Sequence, residues 1–115
     1  MSEPTGVEKL AFAVLLAAAK KQPSAFRIRP DGGDYVVEHR IGEETVEEMR
    51  GSREALAAAI RKLAVMANLP VYKAGESASG LIHLQVGTDR ALYFAILVRG
   101  HGPTLALEGR VVDPP

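Results

Sequence analysis

Arginines recur at alternate positions in SAFRIRP, residues 24–30, so that in a strand Arg27 and Arg29 share one face while Phe26 and Ile28 take the other. Guanidinium groups in such a row can grip carboxylate or phosphate oxygens through forked hydrogen bonds, or can stand in water as solvated strand residues. With Arg40 from the next segment they could form a basic stripe that docks an acidic surface of a partner. Each exposed pair in such a stripe contributes only ~0.2–1 kcal/mol, so it acts on association rate and specificity more than on affinity. Other candidate groups carry less. His39, His83 and His101 are too scattered to outline a metal site, and no metal or other cofactor is expected. The carboxylates of EETVEE, residues 43–48, form a charge run of the kind that lies on a solvated face. Ser77 and Ser79 have no base close to them in sequence, which leaves a nucleophile without support. RPDGGD and RGHGPT lead into strands and lack the lysine that a phosphate-cradling loop places at a helix mouth, so both read as turns.

The elements that carry these residues follow from periodicity and turn chemistry. Thr5 and Glu8 have the spacing of a capping box. Val7, Leu10, Ala11, Val14, Leu15 and Ala18 then recur at helical spacing, Lys20 and Lys21 suit the negative end of the helix dipole, and Pro23 stops a helix expected over about 6–21. AFRIR, the turn PDGGD and YVVEHRI make a hairpin, and EETVEEM continues as an extended strand. Ser52 can cap a second helix whose inner stripe is Leu56, Ile60, Leu63, Ala64 and Ala67, ended by Asn68 and Pro70. YKAGESASG, residues 72–80, is the longest polar interruption and is expected to be the most mobile loop. LIHLQV, ALYFAILV and TLALEGRVV follow as three antiparallel strands. The order predicts a single α+β domain over residues 1–115, a mainly antiparallel sheet with two main helices packed on one face. The last strand is a candidate edge through which the chain could form a homodimer.

Composition narrows the function classes. A chain of 115 residues fits one domain with one core, and 14 basic against 14 acidic residues give a formal net charge of zero, with no global pull toward nucleic acid or an anionic membrane. No cysteine is present, which excludes disulfides, thiolate metal ligands and thiol catalysis. The apolar run LAFAVLLAAA follows Glu3 and Glu8 and precedes Lys20 and Lys21, the reverse of a signal peptide, and is too short to span a bilayer. A cytoplasmic protein without an integral membrane segment is expected.

LLAAAKKQPSAFRIRP, YVVEHRIG and LAAAIRKLAVMANLPVYKAGESASGLIHL, in this order, resemble the domain that precedes the catalytic core in ATPases of type II secretion and type IV pilus systems. The resemblance spans about residues 10–111, and RKLAVMANLPVYK is its most specific part. That domain reads Ala-Ser-Asp-Ile-His-Ile-Glu-Pro, then Arg-Ile-Asp-Gly, then Arg-Leu-Lys-Val-Met-Ala-Gly-Leu, then Pro-Gln-Asp-Gly-Arg, then strands with arginine and His-Gly-Glu. In family members its arginines reach phosphates held by the ATPase core, as arginine fingers do. Residues 1–115 contain no P-loop.

Matched to that pattern, Arg40 keeps the arginine of Arg-Ile-Asp-Gly, while Gly42 and Glu43 take its last two positions. Ala25 and Arg27 replace the aspartate and histidine; Gly80 is kept but Leu81 replaces the following arginine. Tyr93 falls where a strand arginine is expected, and Pro103 replaces the glutamate after His101 and Gly102. Leucine and tyrosine cannot neutralise phosphate. The resemblance therefore implies a degenerate, non-catalytic interaction or regulatory module that binds a motor ATPase or another component of a secretion, pilus or motility machine. Arg27, Arg29, Arg40 and His101 are its partner-binding or vestigial phosphate-contacting residues. A small-ligand or nucleotide sensor is the alternative: a buried polar cluster around His39 and Arg40 would favour it, and an exposed apolar patch would favour the partner module.

Overall fold

Alternating apolar and polar residues build six strands in the computed structural model, which describes residues 6–69 and 77–114. The chain runs α1 (Gly6–Lys21), β1 (Ala25–Asp31), β2 (Asp34–Ile41), β3 (Glu44–Ser52), α2 (Arg53–Met66), β4 (Ser77–Val86), β5 (Arg90–Arg99) and β6 (Ala106–Val112), with a 3₁₀ turn at Gly102–Thr104 before β6. The sheet order is β3-β2-β1-β6-β5-β4, every neighbour antiparallel. Both helices lie on one face and touch each other, α2 crossing from β3 to β4. This is the expected α+β arrangement, and EETVEEM lies in the edge strand β3 except for Glu43, which belongs to the turn before it. No described helix is long and apolar enough to cross a membrane.

Local chemistry explains the joints. Helix α1 buries Ala11, Val14, Leu15 and Ala18 and ends before Pro23, with Gln22 in the left-handed region at φ 50°. The capping threonine expected at position 5 and the stop at Pro70 lie outside the described residues. Ser52 Oγ accepts the Ala55 N–H at 3.1 Å and caps α2, whose far end closes with Asn68 at φ 56°. Asp31 and Asp34 face each other across Gly32 and Gly33, closing the β1–β2 hairpin.

The core is the layer between the helices and one sheet face. Phe26 meets Phe94 edge-on, with centroids 6.4 Å apart. Buried Tyr35 donates its hydroxyl to the Leu105 carbonyl at 2.8 Å, which satisfies the one polar atom this ring carries inside. The β2–β3 register shifts between Val37 and Glu38, opposite Glu47 and Met49, so Glu48 is the extra residue of a bulge. That bulge lets Glu48 reach Lys21 at the end of α1 and His39 of β2 on the helix side.

Two expectations are corrected. The last strand is not an edge: β6 lies inside the sheet between β1 and β5, because Phe26, Arg27 and Ile28 take up the side of β6 that the β5–β6 hairpin leaves open. The edges are β3 and β4. Residues 77–80, read as part of a mobile loop, begin β4 opposite Ile96–Arg99; residues 72–76 lie outside the described residues. Small residues are required there because α2 ends on top of β4: a Cβ on Gly80 would approach Leu69 Cδ2 to 2.8 Å and the Ala67 carbonyl to 2.9 Å. Turn-like composition in this stretch reflects close packing of a strand under a helix.

Candidate functional site on the uncovered sheet face

Residues of β1 that alternate with Phe26 and Ile28 project to the sheet face that neither helix covers, which places Ala25, Arg27 and Arg29 there. Arg40 pairs with Ala25 in register, so it lies on the same face. Extending the Phe26–Gly109 register by one residue sets Arg110 on the other flank of Ala25. Thr45, Arg40, Ala25, Arg110, Ala95 and Leu81 thereby form one row across the sheet. The next row runs Glu47, Glu38, Arg27, Glu108, Leu97 and Ser79. Two strand spacings, about 10 Å, separate the backbones of Arg40 and Arg110.

Ion pairs divide the arginines into two groups. Arg29 grips Glu38 with both arms, Nε to Oε1 at 2.7 Å and Nη2 to Oε2 at 3.0 Å, and Arg99 Nη2 donates to Glu108 Oε1 at 3.0 Å. The Arg29 hydrogen bonds hold the Glu38 carboxyl below its ordinary range, and Glu38 raises Arg29 in return. Arg50 donates to Asp31 and Glu47 at 2.7 Å each, which raises Arg50 and lowers Asp31. Arg27 stands between carboxylates already engaged, 3.6 Å from Glu38 and 3.9 Å from Glu108. Arg40 and Arg110 form no ion pair among the described residues. Arg40 and Arg110 therefore flank Ala25 without an ion partner among the described residues, while Arg27, on the same face, shares two carboxylates with other arginines.

The relief of the face follows. Ala25, Arg27, Glu38, Arg40, Thr45 and Glu108 line a cleft of about 240 Å³. A second hollow of about 350 Å³ shares Ala25 and Glu108 with it and continues over Ala95, Leu97, Arg110 and the Gly109 backbone. Beyond lie Leu81, 40% exposed, and His83 stacked on Tyr93 at 4.8 Å with the rings 7° from parallel. The β1–β2 part of the face is charged, and beyond it Ala95, Leu97, Leu81 and Tyr93 stand among polar Ser79 and His83, a surface suited to a segment carrying acidic and apolar side chains together.

Arg27, Arg29 and Arg40 are thus brought to one face, with Arg29 committed to Glu38 and interleaved carboxylates breaking the basic run. His101 is elsewhere. It opens the 3₁₀ turn, where its N–H donates to Thr104 Oγ1 at 3.2 Å, beyond the end of β1 opposite to Ala25 and Arg40. Arg110, Glu108 and Arg99 were missed as site residues; the alternation in LEGR, residues 107–110, signals that Glu108 and Arg110 share a face but not that β1 lies beside them.

Consecutive strand residues point to opposite faces, so His39 and Arg40 cannot cluster. His39 is 0% exposed on the helix side, with Nδ1 3.4 Å from Glu48 Oε1 and neither ring nitrogen hydrogen-bonded to a described residue. Burial pushes this imidazole below its ordinary pKa; Glu48 opposes the shift and Lys21 adds to it. The Lys21 hydrogen bond holds Glu48 below the usual carboxylate range. His83 and His101 are exposed, so the three imidazoles occupy three separate places.

No family model matches the chain, and no curated protein matches it. Among solved structures, the ATPase DotB of Legionella pneumophila is similar to it at a TM-score of 0.64, with 14% sequence identity over 99% of this chain and 32% of that one. The likeness is one of fold, and the chain spans about a third of that ATPase.

Proposed function

We propose that this chain is a non-catalytic interaction or regulatory module, related to the pre-catalytic domain of type II secretion and type IV pilus ATPases. Its partner is a motor ATPase or another component of such a machine, bound through the uncovered sheet face. The observation that carries this reading is convergence. Ala25, Arg27, Arg40, Leu81 and Tyr93, which the resemblance matches one by one to polar positions of the family, come from four different strands and share a single face. The fold likeness to a third of DotB supports the same origin. Arg27 and Arg40 keep charge on that face, while Leu81 and Tyr93 stand where the family has arginines and so remove two of the cations that would surround a phosphate. Arg27, Arg40 and Arg110 supply long-range attraction for an acidic segment, and Ala95, Leu97 and Leu81 supply apolar area for it to cover.

The test is recovery of partners from native cell extract by the tagged chain beside an Arg27→Ala/Arg40→Ala/Arg110→Ala variant, identified by mass spectrometry. A P-loop ATPase or other machine component retained by the native chain alone supports the reading. Equal retention by both removes these arginines from the interface. Failure to retain any such component, together with a thermal shift by small anions that requires the same arginines, would replace it with the ligand-sensor reading.

A further inference from the structure

The two sheet edges differ in what guards them. β3 carries a bulge at Glu48 and further carboxylates at Glu44 and Glu47, so a second β3 laid against it would bring like charges together. β4, SASGLIHLQV, has no charged residue and no proline, and its ladder with β5 runs unbroken from Ser77–Arg99 to Val86–Arg90. Among the described residues it pairs with β5 alone. Alternate backbone N–H and C=O groups of β4 therefore face outward along a straight, uncharged strand, with Leu81, 40% exposed, at its middle.

We infer that β4 pairs antiparallel with β4 of a second copy of this chain, the two-fold axis passing through Leu81 and joining the sheets into one. Opposed residues in an antiparallel pair project to the same face, so the axis must pass through a residue that meets itself. With Leu81 on the axis, residues 77–85 are paired throughout. On the uncovered face Leu81 meets Leu81, Ser79 meets His83 and Ser77 meets Gln85; on the helix side Gly80 meets Ile82 and Ala78 meets Leu84. A small side chain faces a large one at each helix-side position, and no charge opposes another. An axis at His83 would set Ile82 against Leu84 and shorten the ladder. An axis at Ile82 would centre on a side chain that is already 0% exposed, while Leu81 is the one that gains cover.

The native chain contains no cysteine, so introduced cysteines report the register directly. Opposed Cα atoms in an antiparallel pair lie about 4.5–5.5 Å apart, within disulfide reach. Under mild oxidation Leu81→Cys is expected to crosslink to itself, and Ser79→Cys mixed with His83→Cys to give the mixed dimer while neither crosslinks alone. Light scattering at high-micromolar concentration is expected to give twice the 12.3 kDa chain mass for the native protein and a single chain mass for Leu81→Lys. Leu81 is already exposed, and far-UV circular dichroism confirms that its variants fold. A native chain that stays monomeric, a Leu81→Lys variant that stays dimeric, or crosslinking through Thr45→Cys on β3 in place of Leu81→Cys overturns the inference.

Discussion

Replacing Gly109 by alanine probes the contact that seats β1 against β6 and so sets Ala25 beside Arg110. Phe26 lies directly opposite Gly109, and its ring covers the glycine from the core side. A Cβ on Gly109 would overlap Phe26 Cζ and stand 2.9 Å from both Cε atoms. Ordinary carbon contact needs about 3.5 Å or more, so the ring must retreat by at least about 0.6 Å, and by more at Cζ. The ring cannot do so freely: Phe26 is 1% exposed and held edge-on by Phe94. Overpacking of this kind costs about 1–3 kcal/mol, offset by about 0.4–1 kcal/mol from the lower entropy of an unfolded chain with alanine in place of glycine. Mid-range values of the two, about 2 and about 0.7 kcal/mol, leave an expected net loss of about 1–2 kcal/mol. At about 2.1 cal/mol/K of unfolding entropy per residue, a domain of this length loses roughly 4 °C per kcal/mol, so Tm should fall by about 4–8 °C. Urea titration and thermal melts of Gly109→Ala, Phe26→Leu and the double variant check this. In the Phe26→Leu background the added methyl occupies space left by the ring, and its cost should shrink by about 0.5 kcal/mol or more. A Gly109→Ala protein within about 0.5 kcal/mol of native, or an undiminished cost in the Phe26→Leu background, would refute the reasoning.

Acidification should destabilise the protein in two steps. His39 has a folded pKa below its unfolded value, so its unfolded state binds the extra proton and stability falls as pH drops below about 6.5. Glu38, Glu48 and Asp31 are also depressed, and the stability they contribute is lost lower, below about 4.5, as each is protonated. Urea midpoints for His39→Leu should match or exceed native at neutral pH, because neither ring nitrogen has a hydrogen-bond partner among the described residues, and should change less on acidification to about pH 5.5; an equal change in both proteins removes His39 from the account. Val36, 1% exposed on the uncovered face, lies in register between Arg29 and Arg50, and its burial there is assigned to cover by their aliphatic stems. Arg29→Ala should therefore cost about 1–2 kcal/mol, and Arg29→Met, which keeps a stem and loses the charge, less than about 1 kcal/mol. Equal losses in denaturant titrations would assign the effect to the ion pair.

Properties of contiguous residues are legible in the sequence itself. The 3.6-residue stripe of α1 and α2, the period-two alternation of AFRIR, the glycine turn at residues 32–33 and the Ser52 cap each depend on neighbours along the chain, and each stands where it was expected. That alternation alone sends Arg27 and Arg29 away from the core, and the same period of two in YVVEHRI separates His39 from Arg40. Which strands become neighbours is a nonlocal choice, made by which buried faces close on one another. It places β6 in the middle of the sheet, brings Arg110 to the flank of Ala25, and supplies Glu38 and Glu108 as partners that temper the arginines. It also makes a strand of SASG, because α2 comes down onto Gly80 and leaves room for nothing larger. Periodicity reports which side of an element is apolar; the identity of the surface that covers it depends on residues far away in the chain, brought there by the packing of the whole domain.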